Sequence, residues 1–251
     1  MEVHHHSHKP KNWKEYITEF IMLFAAVTLG FLAENLREHQ IIEHRKDQNL
    51  LAMIDDLKQD SIEIEARIIE YKNSFYVFEK IKDISLAYQN QKLNENIAVD
   101  SIVNTYSNAV FGIGLFINNA SYKNTIASGS LSNIENFETK KLIAQYYEAL
   151  YGKLVVNNKV LDDDVNEFMN KSFNYGYMDR SETLYPGQTR TTKMQLEDFK
   201  TIKSLRSSIL EPEFRLTVNK LESRCAYYLF IMQTAKELNN QLLIQLNKGV
   251  F

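Results

Sequence analysis

Between Gly30 and Gly112 the chain contains neither glycine nor proline, the two residues that most often interrupt a helix. Within this stretch, residues 50–78 carry apolar side chains in steps of three and four, with one break at Ser61. The spacing has a 3.5-residue period over four heptads, which is typical of a helix that packs along one face, as in a coiled coil. We therefore predict one helix that runs with little interruption to about Gln91. Its apolar positions are Leu50, Ile54, Leu57, Ile64, Ile68, Tyr71, Phe75 and Phe78.

The beginning of this helix is more apolar than a soluble helix requires. Residues 17–36, ITEFIMLFAAVTLGFLAENL, have an uncharged core of 14 residues at 20–33 that is apolar except for Thr28, whereas roughly 20 residues are needed to cross a bilayer. Trp13 and Tyr16 lie at one edge as an interfacial aromatic belt would, and residues 16–36 are long enough at about 1.5 Å per residue. We predict a transmembrane helix at 16–36. A cleaved signal peptide, a soluble helix and a helix lying on the membrane surface are the alternatives.

This segment divides the chain into a histidine-bearing tail at 1–15, the transmembrane helix at 16–36 and a helical domain at 37–251. Lysines and arginines near the two ends of the segment are equal in number, so their distribution does not decide the orientation. Long domains cross membranes largely regardless of charge. We therefore expect a cytoplasmic N-terminus, a single span of the inner membrane and a periplasmic domain in a Gram-negative cell.

Small residues mark one face of the predicted transmembrane helix. Ala26 and Gly30 are four residues apart and Ala33 continues the face, a pattern that lets two helix backbones approach closely in lipid. This predicts a homo-oligomer or a membrane-protein partner. Glu34 follows on the same face, and an acidic residue within a membrane can line an ion path. Near the interface, a charge that snorkels or pairs with Arg37 is the alternative.

The N-terminal tail contains a cluster of imidazoles at His4, His5, His6 and His8, which together can bind Zn²⁺ or Ni²⁺. Their spacing is not that of a structural zinc site. A disordered tail with weak or incidental metal affinity, or a cloning tag, explains the same residues.

The rest of the chain predicts three more long helical segments. The second spans about 97–128, with a kink or a close helix approach at Gly112 and Gly114 and an end at Gly129. Ser132, Asn136 or Thr139 starts the third helix, whose apolar face is Ile143, Tyr147, Leu150, Leu154, Leu161, Val165 and Phe168.

A surface loop follows at 174–192, with a tight turn at Tyr185-Pro186-Gly187, and then a short helix at about 194–209. Pro212 fits the first turn of a last helix. The predicted fold class is all-α, with the transmembrane helix continuing into an antiparallel bundle of about four long helices. The apolar face of the last helix is Phe214, Val218, Leu221, Cys225, Tyr228, Met232, Ala235, Leu242 and Leu246.

Charge and residue inventory exclude several functions. The net charge of −3 and pI of about 6.1, without a basic stripe, argue against a nucleic-acid partner. Histidines occur only at positions 4, 5, 6, 8, 39 and 44, all in the tail or just past the predicted anchor, so none is available for a catalytic triad inside the bundle. The single cysteine, Cys225, cannot form an intramolecular disulfide and fits a buried position.

The acidic clusters do not form a recognisable site. Residues 162–164 are three aspartates, but they lack the alternating ligands and turn glycine of a calcium loop, which indicates a solvated helix face. The pairs Asp55-Asp56 and Glu63-Glu65 are expected on the polar side of the first helix, where no cleft supports acid–base catalysis. We predict no catalytic residues and no cofactor.

Residues 119–147, NASYKNTIASGSLSNIENFETKKLIAQYY, resemble a group of uncharacterised single-pass membrane proteins of Bacteroidota. That group has a pattern like A-Y-x-x-L-x-S-G-x-L-x-x-I-x-N followed by a helix that ends in paired tyrosines. The start, residues 13–35, is also similar to theirs. The resemblance extends to about residue 150 and implies an N-terminal anchor and a helical extracytoplasmic domain, but no activity. The matching positions are Ala120 (offset by one), Tyr122, Ser128, Gly129, Leu131, Ile134, Asn136, Tyr146 and Tyr147, with Ile126 near the leucine of the pattern.

Within that motif we expect a structural corner rather than a ligand loop. Gly129 would close one helix, Leu131 and Ile134 would plug the bundle end, and Asn136 would cap the next helix. A corner that binds a partner is the alternative.

These observations predict a non-enzymatic, membrane-anchored scaffold that binds an envelope partner or its own copies. A sensory bundle that signals through a partner, an ion-conducting or stator-like oligomer that uses Glu34, and an enzyme are the competing hypotheses.

Overall fold

The computed structural model describes residues 12–106, 114–175, 183–185, 188–189 and 208–250. Its first element, α1 (Trp13–Gln89), is one continuous helix of 77 residues. The prediction of an uninterrupted helix is therefore confirmed. Asn12 and Glu15 close its N-terminus as a capping box, and the backbone of Gln91 turns out of the helix with a positive φ of 56°.

The apolar positions predicted for α1 face the core. All of them are buried except Phe75, which is half-buried and packs against the same core. The break in the pattern is filled by Asp60, a buried aspartate, while Ser61 is half-buried beside it.

The second segment of the bundle is not one helix, so the prediction of a single helical stretch at about 97–128, kinked or closely approached at its glycines, is wrong as to the helix. Its described parts are α2 (Glu95–Tyr106), α3 (Ala120–Ala127) and residues 114–119, whose backbone has no regular secondary structure. Gly112 lies outside the described residues. At Gly114 the reason is visible, because the Asn158 side chain packs directly against its backbone and binds the next residue, Leu115.

The third segment is α4 (Phe137–Ala144), a π-helical turn (Gln145–Leu150) and α5 (Tyr151–Tyr175), which follow one another without a break. Asn136 caps α4, since its Oδ1 accepts a hydrogen bond from the Thr139 N–H at 3.1 Å. Ile143, Tyr147, Leu150, Leu154 and Leu161 are buried as predicted. The burial of Val165 and Phe168 lies outside what the structure describes.

The last helix, α6 (Pro212–Val250), begins at proline as predicted, and all nine apolar positions predicted for it are buried. Before it, β1 (Thr183–Tyr185) pairs antiparallel with β2 (Gln188–Thr189), with Tyr185 opposite Gln188. Pro186, Gly187 and most of the predicted helix at 194–209 lie outside the described residues.

Contacts along α6 show how the segments are arranged. Lys236 pairs with Glu65 at 2.8 Å, and Glu222 pairs with Lys82, so α6 runs antiparallel to α1. The third segment is also antiparallel to α6, because Gln245 contacts Thr139 and Arg224 contacts Asp164. The described chain thus forms a helical domain whose core lies between α1, α6 and the two segments that join them.

Candidate functional site

Two features of the structure stand out from ordinary packing: the exposed start of α1 and a buried polar junction around Asp60. At the start of α1, every side chain of residues 17–36 is exposed except Thr28, which is half-buried. α1 contains a window long and apolar enough to cross a bilayer, and none of that window is buried within the protein. The length and composition are compatible with a single-pass membrane anchor.

The predicted helix-association face lies on this exposed part of α1. Ala26, Gly30, Ala33 and Glu34 are all exposed, and a Cβ added at Gly30 would meet nothing within 4 Å. Glu34 accepts hydrogen bonds from Arg37 on the next turn, at 3.0 Å from Nε and 2.5 Å from Nη2. The carboxylate is thus paired with a cation of its own helix.

The polar junction is formed where four chain segments meet at the Asp60 carboxyl group. Asp60 Oδ1 accepts a hydrogen bond from the Asn118 N–H at 2.9 Å, and Oδ2 accepts one from Tyr146 Oη at 2.9 Å. Asn239 on α6 donates from Nδ2 to Tyr146 Oη at 3.1 Å and to the Leu57 carbonyl at 2.9 Å. One carboxyl group therefore connects α1, the 114–119 segment, the π-helical turn and, through Tyr146, α6.

The π-helical turn brings both tyrosines of the pair into the interior. Tyr146 and Tyr147 are buried, with their rings edge to face and their centroids 5.0 Å apart. Tyr147 also stacks on Tyr122 of α3 at 4.7 Å. A π-helical turn widens the helix locally, which is a common feature of functional sites.

Two polar atoms at this junction lack a partner among the described residues. Asn239 Oδ1 is buried without a hydrogen bond, and Tyr147 Oη lies near Ser121 without reaching normal hydrogen-bond geometry. Buried polar atoms are nearly always satisfied, so the junction is incompletely paired.

Beside Asp60, Asp56 binds the start of α3. Its carboxylate accepts hydrogen bonds from Asn118 Nδ2 at 2.8 Å, from the Ser121 N–H at 3.2 Å and from Ser121 Oγ. Glu148, on the π-helical turn, accepts one from Tyr122 Oη. The expectation that Asp56 is simply a solvated residue on the polar side of α1 is therefore wrong, because α3 packs over it.

Burial sets the protonation of these groups. Desolvation raises the pKa of Asp60 to about 6, while its bonds from Asn118 and Tyr146 act in the opposite direction and the nearby Asp56 charge adds to the increase. Desolvation also raises the pKa of Tyr146 and Tyr147 well above the usual range, so both phenols stay neutral. Burial, with the charge of Glu222, raises the pKa of the Cys225 thiol to about 12, which makes it unreactive.

The Ser-Gly-x-Leu segment is built as the structural corner we expected. Gly129 has a φ of 72°, Ile134 is buried, and Leu131 packs against the core. Asn49 of α1 donates to Ser128 Oγ at 2.8 Å and to Ser130 Oγ at 3.0 Å, which ties the corner to the first helix.

The chain matches no protein-family model, no curated protein and no solved structure. Its function must therefore be argued from its own geometry.

The other sequence-predicted candidates take no part in the junction. His4, His5, His6 and His8 lie outside the described residues, and the described residues contain no group of three or more metal-ligating side chains. Among the three consecutive aspartates, Asp164 is buried and pairs with Arg224 at 2.6 Å and Lys220 at 2.9 Å. The expectation of a fully solvated face is wrong at this residue, because α6 covers it.

The junction was missed at the sequence level, although two signals pointed to it. One is the gap in the apolar pattern of α1, where an acid occupies a core position. The other is the adjacent pair Tyr146-Tyr147, since a buried tyrosine hydroxyl usually needs a hydrogen-bond partner.

Proposed function

We propose that this protein is a non-enzymatic, single-pass membrane protein whose helical domain serves as an interaction or scaffold module at a cell envelope. The observation that carries the proposal is the exposed apolar start of α1, which continues without a break into the helix that organises the domain. A soluble helix of this composition would need a covering partner, and the described chain supplies none for residues 17–36. The hydrocarbon core of a bilayer would cover these apolar side chains.

The polar junction supports a structural rather than catalytic domain. Its carboxylates are occupied by hydrogen bonds from neighbouring segments: Asp60 by Asn118 and Tyr146, and Asp56 by Asn118 and Ser121. These bonds fasten the segments to α1. An interaction module needs such a fixed surface, whereas a general acid or base must reach a substrate.

Membrane insertion is tested by replacing Leu23 and Leu29 together with arginine. Each arginine near the centre of a spanning helix costs about 2.5–3.5 kcal/mol of insertion free energy. Alkaline carbonate should therefore release the double-arginine variant from membranes, whereas the wild-type chain should stay in the membrane pellet. The control is Ile62→Arg with Ile69→Arg, because these residues are 66% and 69% exposed on the same helix outside the apolar segment. Extraction of the wild-type chain, or retention of the double-arginine variant, would contradict the proposal.

We also propose that the chain self-associates through Ala26, Gly30 and Ala33, whose small side chains permit close helix approach in lipid. Gly30→Ile should reduce cross-linking between copies in native membranes. Ala25→Ile adds similar bulk about 100° around the helix and should leave cross-linking unchanged. Equal cross-linking in both variants would remove this face from the proposal and leave membrane insertion standing.

For orientation, we propose a cytoplasmic N-terminus and a periplasmic domain. Protease added outside spheroplasts should then digest the helical domain, and protection of the domain would reverse the assignment.

A further inference from the structure

We infer that Asp60 is a proton-binding switch: when its carboxyl group is charged, the 114–119 segment and the π-helical turn separate from α1 more readily than when it is neutral. This inference goes beyond the proposed function and does not depend on membrane insertion. It concerns how the domain responds to its surroundings rather than where the domain is held.

The position of Asp60 makes its charge state matter to the whole junction. Its side chain belongs to a residue that is only 4% exposed, and each of its two oxygens binds a different chain segment. Through Tyr146 the same hydrogen-bond chain reaches Asn239. A change in the charge of this carboxyl group therefore affects hydrogen bonds that join four segments: α1, the 114–119 segment, the π-helical turn and α6.

A charged carboxylate is poorly supported at this position. It offers about four acceptor sites, and the structure fills two of them. No salt bridge among the described residues involves Asp60, and the neighbouring acid Asp56 repels its charge. A buried ionised group without a cation partner is destabilising unless it is neutralised.

The other groups around Asp60 do not supply a positive charge that could pair with its carboxylate. The π-helical turn presents the neutral phenols of Tyr146 and Tyr147, with Glu148 one contact further away, bound to Tyr122 of α3. From α6 comes the amide of Asn239, and from the 114–119 segment the backbone and amide of Asn118. Apart from Asp60, only Asp56 and Glu148 among these groups are ordinarily charged, and both are acids.

Protonation also changes the hydrogen bond between Asp60 and Tyr146. A proton taken from water onto Asp60 Oδ2 can be donated to Tyr146 Oη, which otherwise donates to that oxygen. The Tyr146 hydroxyl hydrogen then needs another acceptor, and Asn239 Oδ1 is buried and unpartnered on a side chain that already contacts Tyr146. Presenting this oxygen to Tyr146 requires the amide to turn over, because Nδ2 occupies that contact and also donates to the Leu57 carbonyl. Protonation of Asp60 is thus linked to a rearrangement of a side chain on α6.

The direction of the switch follows from linkage. Burial raises the pKa of Asp60 to about 6 in the closed junction, whereas a solvated aspartate has its ordinary value of 3.8. Protonation of Asp60 therefore favours the closed form, in which the 114–119 segment and the π-helical turn stay packed against α1. Ionisation of Asp60 favours the open form, in which its carboxylate reaches water. Between about pH 4 and pH 7 the opening equilibrium should increase on the order of a hundredfold.

Hydrogen exchange of the full chain in mild detergent or nanodiscs tests this, from about pH 4.5 to pH 7.5, with rates corrected for the intrinsic effect of pH. Amides of residues 117–122 and 145–150 should lose protection as the pH rises. Amides of residues 216–222 on α6, away from Asp60 and from the contact between Tyr228 and Leu115, serve as the internal control and should keep theirs. Protection at the junction that is constant with pH, or that increases with pH, would overturn the inference.

Two substitutions separate Asp60 from its neighbours. Asp60→Asn should abolish the pH dependence at the junction, and its persistence would overturn the inference. Asp56→Asn should retain the dependence with a lower midpoint, because the Asp56 charge raises the pKa of Asp60.

Tyr146→Phe removes a hydrogen bond that favours the charged form of Asp60, so the midpoint should move to higher pH. This variant keeps Asp60 and its ring volume, and it gives a decisive result even if Asp60→Asn does not fold. An unchanged midpoint in Tyr146→Phe would show that another group titrates.

Discussion

The side-chain amide of Asn158 lies against the backbone of Gly114 so closely that a Cβ at this glycine would stand 2.7 Å from Asn158 Oδ1. Asn158 has little freedom to withdraw, because it donates to the Leu115 carbonyl at 3.0 Å and accepts from Tyr228 Oη. The Leu115 N–H in turn donates to Tyr228 Oη at 2.8 Å. These hydrogen bonds hold the non-helical part of the second segment, residues 114–119, against α5 and α6.

Gly114→Ala is therefore expected to destabilise the domain by about 1–3 kcal/mol, since an added methyl group must displace a hydrogen-bonded side chain. Chemical denaturation followed by circular dichroism in mild detergent measures the change. Gly152→Ala is the matched control, because a Cβ at this exposed position in α5 meets nothing within 4 Å. That substitution should stabilise by about 0.8–1 kcal/mol through helix propensity, and a similar loss in both variants would contradict the steric explanation.

The cap of α4 gives a second prediction. Asn136→Ala should lower the free energy of unfolding by about 1 kcal/mol, because the Thr139 N–H loses its acceptor at the helix start. Ser132→Ala should cost less than about 0.5 kcal/mol, since Ser132 Oγ donates to the Gly129 carbonyl and does not cap the helix. Equal costs in the same denaturation assay would show that Ser132 shares the capping role.

A third prediction concerns Gly129, whose φ of 72° is the left-handed conformation that side chains rarely adopt. Gly129→Ala should destabilise by about 1–2 kcal/mol although a Cβ there meets nothing within 4 Å. Gly129→Asn should cost less, because asparagine tolerates this conformation better than alanine does. If Gly129→Ala and Gly129→Asn have the same free energy of unfolding, the backbone conformation is not the reason for glycine at this corner.

The free energy of unfolding should also depend on pH through Asp60. Its folded-state pKa of about 6 lies above the ordinary 3.8, so its favourable contribution is complete below pH 3.8 and is lost as the pH rises through 6. The loss is at most about 3 kcal/mol, because the two pKa values differ by roughly two and each unit corresponds to about 1.4 kcal/mol. The free energy of unfolding is measured by denaturation of wild type and of Asp60→Asn at about pH 4.5 and pH 7.5. Subtracting the pH-dependent change in the variant from that in wild type gives the contribution of Asp60, because the contributions of the other carboxylates cancel. A difference that does not change with pH would contradict the assignment.

Much of the fold follows from local pattern. The long first helix and the last helix were predicted because their apolar residues repeat in steps of three and four, and because Pro212 marks a helix start. Asn136 was predicted as one of three candidate caps, and the structure selects it. These features depend on neighbours within a few residues along the chain.

The parts that could not be predicted depend on contacts between distant residues. The non-helical backbone at 114–119 is held by Asn158, Tyr228 and Asp60, which lie far away in sequence. Residues 97–128 contain enough apolar periodicity for a helix, so only those contacts reveal the break. The junction could not be predicted either, because it depends on the packing of α3 over Asp56 and on the π-helical turn that carries Tyr146 and Tyr147.

The unbroken course of α1 has a mechanical consequence. From residue 36 to its end at Gln89, the helix extends about 80 Å at 1.5 Å per residue. In a chain held by its apolar segment, this length acts as a lever whose fulcrum lies at the membrane surface. A change of about 10° in the tilt of the segment would sweep the far end of the domain sideways by about 14 Å. In a chain held this way, a small adjustment of the segment would thus be amplified into a large displacement at the far end of α1.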